Sequence, residues 1–532
     1  MIVLVMAVPV RADELRVEMS NLLELQIGRD FANEDEDRRR FFGQFLLDVY
    51  PTRDLRLGLR VERFADSPPP ELFGNPVAEY EYDRLAQRFV EWSSRHARFR
   101  VGNGYAILGH GLLFRAFELP GVVRQTQFPI VSYAESRDLD GVTLDAWYGP
   151  LELTLLHGTP VIAPDVAPEQ PNQVRRAGSV TGGRAMLEVV EGLRVGGSVL
   201  HADGLEAGLA TSRAEEFGAV EVDVDLLRFV PGGDDLPFFL RTVVEYAGRS
   251  WQPFDGGLRT ATGVPHALYS NTQIGWDTGA LGIETKDYHQ FRLGVNDPPT
   301  LVPEFTHRLL NRTTHVLDPL DEKGHQITLG QRLPDWIGRG SIEAVYAQSE
   351  GRLEVLGEYR DPREYEQFFV ALESDPSRSV RVRVYFSDGH DEFEGLEEIR
   401  TVGLLASSRR LPHDLAVELD VGHQVRERRG VGEVVRSDDI AVVASVSRAS
   451  LGTVGLLWER TDDPLFLDDP SLAEDESRAR DFVGGTLSWR VDQNHDVLAF
   501  YGERRGGVAC TSGTCYFVPD FEGLELRVLS RF

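Results

Sequence analysis

Long stretches in which apolar and polar residues alternate one for one constrain this chain more than any other feature. Leu55, Leu57, Leu59 and Val61 share one parity, and Arg56, Gly58, Arg60 and Glu62 share the other. Val380, Val382, Val384 and Phe386 stand against Arg381, Arg383 and Tyr385 in the same way. So do Leu415, Val417, Leu419 and Val421 against Glu418 and Asp420. An extended chain points successive side chains to opposite sides, so each stretch reads as a strand with one apolar and one polar face. The pattern recurs at 182–191, 193–201, 236–248, 438–448, 478–491 and 495–504.

Alternation alone would also suit a soluble sandwich. Many of these stretches run to about 9–13 residues, however, against about five or six for an ordinary soluble strand. A tilted strand needs about 9–11 residues to cross a bilayer. Tight links such as Gly149-Pro150, Glu191-Gly192 and Asp492–His495 alternate with longer polar ones at 28–39, 159–181, 425–437 and 461–477. Short turns on one side and long loops on the other are the pattern of a transmembrane antiparallel β-barrel. Counting the segments gives about 24 strands, with about 22 to 26 as the range, and an even number returns both termini to one side.

Composition narrows the alternatives. No window of 18 apolar residues follows the N-terminus, so crossing by helices is excluded. The 52 glycines and 28 prolines, many between apolar runs, suit an all-β chain with many turns. A net charge of -29 argues against nucleic acid as a partner, because phosphate binding needs a basic face. Residues 1–12 form an apolar stretch ending in Val10, Arg11 and Ala12, which reads as a signal peptide without the usual basic start. A buried first strand is the alternative. Cys510 and Cys515, close together in a glycine-containing loop, suit a small disulfide in an oxidising compartment, with two free thiols as the alternative. Topology places that loop at the outer surface.

The chain ends with Leu524, Leu526, Val528 and the terminal Phe532 on one parity, interrupted by Ser530. This resembles the C-terminal assembly signal of outer-membrane barrels, with Phe532 as its aromatic and the barrel assembly machinery as the implied partner. Outer-membrane lipid and lipopolysaccharide would surround such a barrel, so the expected location is the bacterial outer membrane.

A barrel this wide needs filling. Two stretches do not alternate: a glycine-rich segment at 102–117, with Gly102, Gly104, Gly109, His110 and Gly111, and a non-strand insert at about 287–337. Pro298, Pro299 and Pro303 remove ladder donors from the insert, which also carries Asn311 and His315. These residues are the candidates for a plug or constriction. Parity assigns Arg56, Arg60, Arg381, Arg383, Glu418 and Asp420 to the lumen, and changes at Gly58 or Arg381 are expected to be milder than changes at Leu57 or Val382.

The 102–117 segment, the 298–315 run and the cysteine-bearing last loop together resemble an uncharacterised family of large bacterial outer-membrane β-barrels. The resemblance spans most of the chain and implies fold and location, with no activity or catalytic residue to transfer. His110 stands where the glycine motif would carry arginine.

Other chemistry has little support. His289, His307, His315 and His325 have no regular metal-ligand spacing, and weak divalent-cation binding by acidic runs such as 34–37 is the softer reading. No Gly-x-Ser-x-Gly elbow occurs, so no enzyme activity and no cofactor are expected. Two functions remain: a gated or plugged channel for an unidentified solute, or a structural or assembly barrel whose lumen holds a partner protein or lipoprotein.

Overall fold

The computed structural model describes residues 15–30, 33–67, 71–72, 75–76, 81–118, 122–123, 130–131, 136–161, 178–203, 215–249, 265–291, 293–315, 321–334, 339–351, 354–355, 358–359, 362–377, 379–429, 434–463, 479–511, 514–518 and 520–532. Twenty-four strands form one sheet. Each pairs antiparallel with the next in the chain, and the last, Phe521–Arg531, pairs with the first, Arg16–Asp30, with Leu23 opposite Val528. The sheet is therefore a closed barrel, which leaves no edge with unpaired backbone groups.

Parity decides the two faces, as the alternation requires. Outward side chains such as Val199, Val220, Leu456 and Val483 are exposed, whereas inward Glu245, Thr401 and Glu459 are fully buried. Near the short-turn rim, outward aromatics include Trp92, Tyr148, Phe238 and Trp489; a second set, Tyr246, Phe368, Trp458 and Tyr501, lies several residues further up its strands. Aliphatic side chains fill the band between them.

The connections differ at the two rims. On the side of the termini, most strands are joined by links such as 53–54, 149–150, 191–192 and 277–278. The opposite rim carries 105–138, 290–320 and 505–520. Three expectations need correcting here. The acidic run 34–37 belongs to strand Asn33–Thr52, and strands Leu415–Arg429 and Val434–Arg448 take up most of 425–437. The insert expected at 287–337 shrinks as well, since strand Gly279–His289 enters it and Asp321–Arg332 is a full barrel strand. That strand escapes notice because its outward parity reads Lys323, His325, Ile327, Leu329 and Gln331, too polar for a clear alternation.

Candidate functional site inside the barrel

The first internal segment leaves the wall after strand Ala97–Gly104, which holds Gly102 and Gly104. It turns back on itself: Ala106–Leu108 pairs with Phe114–Glu118, and Leu108 lies opposite Phe114. Gly109 and Gly111 make the turn with φ of 61° and 86°, a left-handed region that penalises other residues. Gly109 also presses on the wall, because a Cβ there would sit 2.2 Å from Glu245 Oε1. The next backbone N–H, of His110, donates to Glu245 Oε2 at 2.6 Å, and the His110 ring Nδ1 lies 3.0 Å from the same oxygen. Leu108, Leu112, Leu113 and Phe114 then pack into an apolar cluster with inward wall residues such as Leu156, Leu200, Phe217 and Tyr288.

The second segment runs from Phe291 to His315. Asn296 ties it to the first, donating to the carbonyls of Leu112 and Phe291 at 3.1 and 2.9 Å. Arg115 meets Asp297 at 2.6 Å. Further on, Phe305 and Leu310 pack on Val345, Phe369 and Tyr385 of the wall. The short helix Arg308–Arg312 places its two arginines one turn apart, so both guanidinium groups reach the same wall carboxylate, Glu459. Arg308 Nε donates to Glu459 at 2.8 Å, and both side chains are buried. Around this pair Arg505 meets Asp439 at 2.7 Å, and Arg426 meets Asp439 and Asp463, each at 2.7 Å. Four arginines thus share three carboxylates in a buried site, where leaving one charge uncompensated is costly.

A second latch holds the far end of the segment. The His315 ring Nδ1 lies 2.9 Å from Asp391 and Nε2 3.3 Å from Glu322, while Lys286 bonds Glu322 and the Thr300 carbonyl. Tyr365 stacks on the ring at 4.5 Å. Burial opposes the charged ring, but the hydrogen bonds to Asp391 and Glu322 outweigh it and push its pKa up to about 9.

The other residues singled out from sequence lie as follows. Arg60 is buried and bonds Glu118 of the first segment, whose other oxygen takes the Tyr105 hydroxyl at 2.8 Å. Arg56 pairs with Asp48 at 2.8 Å, Arg381 with Glu373 at 3.3 Å and Arg383 with Glu343 at 2.7 Å. Asp420 meets His307 at 3.4 Å, whose ring stacks on Tyr385, and Glu418 lines a cavity further down. Asn311 is buried in the helix. The four histidines of the insert region do not converge: His289 meets Asp321, His325 packs on Tyr346, and His307 and His315 keep the partners given above. Phe532 exchanges backbone hydrogen bonds with Met19 of the first strand.

Two features escaped sequence reasoning. Glu459, Asp391, Glu322 and Glu245 hold the internal segments from the wall, yet only their parity is visible, not their partners. The second is the last connection. Hairpin Gly507–Thr511 and Thr514–Val518 lies against helix Arg308–Arg312, so the cysteine-bearing loop folds back onto the plug rather than standing free at the outer surface. Cys510 and Cys515 are directly opposite in its register; their side chains lie outside the described residues.

Below the plug, toward the short-turn rim, the lumen opens. One cavity of about 930 Å³ is lined by Arg332, Arg339, Glu343, Glu373, Asp375 and Arg381 among others. Another of about 430 Å³ is lined largely by hydroxyls, among them Ser407, Ser445, Ser447, Thr453, Thr486 and Ser488.

This arrangement defines a closed, 24-stranded antiparallel β-barrel with two segments of its own chain packed inside it. No protein-family profile and no curated protein matches the chain. Among solved structures it is similar to the P pilus usher PapC translocation pore, at 9% identity over 97% of this chain and 99% of that one, with a TM-score of 0.46. It is also similar to OccAB4 of Acinetobacter baumannii, at 9% identity over 78% and 98% of the two chains, TM-score 0.40. OccK2 of Pseudomonas aeruginosa follows at 10% identity over 78% and 98%, TM-score 0.38.

Proposed function

We propose that this protein is a bacterial outer-membrane channel, closed in the state described, whose internal segments must shift before a solute passes. The location is supported by the outward aliphatic band between two aromatic sets, which suits a hydrocarbon layer with interfaces on either side. Lipid and lipopolysaccharide would contact that band, and the strand ending at Phe532 would be read by the assembly machinery.

One observation carries the gating: the second segment is fastened to the wall by ion pairs, Arg308 and Arg312 to Glu459 and His315 to Asp391. A plug meant to stay would be held at least as well by apolar packing, since burying charges costs much of what their attraction returns. Ionic latches can instead part into a wet lumen, where each freed charge is solvated. A purely structural barrel housing a partner protein is the second reading. It is disfavoured because the chain's own described segments occupy the upper lumen, where a partner protein would otherwise sit.

Planar-bilayer recordings separate the two. The wild-type barrel should be silent or flicker rarely, and deletion of 291–315 should give stable, large conductance. Silence in both forms, with the deletion variant correctly folded, would end the channel reading and favour the scaffold.

A further inference from the structure

The second internal segment divides at Leu301. Up to that residue it belongs to the apolar cluster shared with the first segment, through Phe291, Val295 and Leu301. Beyond it the chain turns to other wall residues, with Val302 on Ala347 and Tyr365, and Phe305 and Leu310 on Phe369 and Tyr385. Leu301 itself holds φ of 54°, a left-handed value that disfavours leucine. The junction between the two packings is therefore also a strained point of the backbone, so 302–315 can part from the wall while 291–301 stays docked.

Charge is then divided unequally between what leaves and what stays. Arg308, Arg312 and His315 leave with the segment, whereas Glu459 stays on strand Gly452–Thr461 and Asp391 on strand Val380–Asp391. Among the described cations Glu459 would keep only Arg505, at 3.5 Å and already engaged with Asp439 at 2.7 Å. Asp391 would keep no ion-pair partner among the described residues. Below the plug no such bias exists. The larger cavity sets Arg332, Arg339 and Arg381 against Glu343, Glu373 and Asp375, and the smaller sets Arg409 against Glu418. The shortage of positive charge thus arises at the level of the plug, once 302–315 is displaced.

We propose that the Glu459 site binds a solute bearing a guanidinium group, and that Arg308 and Arg312 occupy the site in its place while the channel is closed. A guanidinium carries its N–H donors in a planar fork that matches a carboxylate, and two already reach Glu459 from one short helix. When those two withdraw, an incoming cation restores the counter-charge that a buried carboxylate needs. It therefore binds the displaced state better than the docked one, which is the differential affinity that lets a ligand shift a closed protein toward an open one. An anion would meet Arg308 and Arg312 only after they have left the wall, on a segment no longer held in place. The proposal deepens the channel reading by naming the class of solute, and its binding step can be measured without conduction.

The test titrates the full-length barrel in detergent with agmatine by calorimetry, with 1,4-butanediol and succinate as neutral and anionic controls. The wild type should bind agmatine weakly, because the chain itself fills the site. Arg308→Gln with Arg312→Gln should bind it about tenfold more tightly, and adding Glu459→Gln should abolish that gain. Hydrogen exchange of the wild type gives a second reading that needs no variant. Agmatine, but neither control at matched ionic strength, should speed exchange at 302–315 and leave 106–117 unchanged. Absence of agmatine binding to a double variant that still migrates as folded on unheated gels overturns the proposal. So does equal affinity with and without Glu459, or exchange quickened by succinate rather than agmatine. Agmatine binding with bilayer silence in the double variant would uphold the site and end the channel reading; conduction without agmatine binding would do the reverse.

Discussion

Arg308, on the helix inside the barrel, donates to Glu459 on the wall at 2.8 Å across 151 residues of sequence. Glu459 also receives Arg312 and lies 3.5 Å from Arg505, so one carboxylate faces three guanidinium groups. Glu459→Gln would leave those cations short of a counter-charge, a loss of about 3–5 kcal/mol for a buried pair broken from one side. The expected outcome is faster hydrogen exchange across 291–315, with the barrel strands still protected. Replacing both sides, Arg308→Met with Glu459→Leu, should be milder than Glu459→Gln alone. Unchanged exchange in Glu459→Gln would show that the ion pairs do not hold the plug.

The His315 latch gives the plug a pH dependence with a definite sign. Its folded pKa of about 9 lies above the ordinary 6.5, so the charged ring binds its proton more tightly when docked. That contribution is complete below pH 6.5 and is lost as the pH rises through about 9. Protection of 291–315 against hydrogen exchange, corrected for intrinsic rate, should fall between about pH 7 and 9.5 in the wild type. In His315→Gln it should be lower below about pH 9 and much flatter, with the two profiles converging above that pH. A wild-type profile as flat as the variant's would remove His315 from the latch.

The barrel itself was legible because its physics is local: period-two alternation needs only neighbouring residues, and parity followed along a strand separates Arg381 from Val382 without any partner. The site was less legible because it is made of long-range pairs. Parity puts Glu459 indoors, but nothing near residue 459 announces an arginine at 308. Parity also misjudges fit. Gly58 is inward and so looked open to substitution, yet the Phe89 ring stands 2.2 Å from where its Cβ would be. The turn-back of the last hairpin was invisible for a related reason, since a connection's length says nothing about which way it folds.

The two faces of the sheet can be told apart by one cation. Leu456 is 64% exposed and points outward from mid-strand, whereas Ser488 faces the hydroxyl-lined cavity from the adjacent strand. Leu456→Arg places a charge in the hydrocarbon at a cost of about 2–4 kcal/mol near the midplane and should lower the yield of folded barrel. Ser488→Arg should assemble normally and only narrow the cavity. Equal damage at both positions, read as the heat-modifiable fraction on gels, would mean that the outward face does not meet lipid.

The last prediction concerns the cysteines. Residues directly opposite in an antiparallel ladder have Cα atoms about 4.5–5.5 Å apart, within the range a disulfide spans. Cys510 and Cys515 hold such positions, so the oxidised protein should carry a disulfide across the hairpin. Closing so short a loop restricts the unfolded chain by only about 2 kcal/mol on chain-entropy grounds. Cys510→Ser with Cys515→Ser should therefore leave barrel assembly intact. The hairpin rests on helix Arg308–Arg312, however, and the Arg505 carbonyl just before it accepts from Arg312 at 2.8 Å. Loosening the hairpin should thus be felt at the plug: exchange at 305–315 should quicken in the double variant and in the reduced wild type alike. A membrane-impermeant thiol reagent should label the reduced pair slowly in the wild type and faster once 291–315 is deleted. Rapid labelling that the deletion leaves unchanged would mean that the hairpin stands free of the helix.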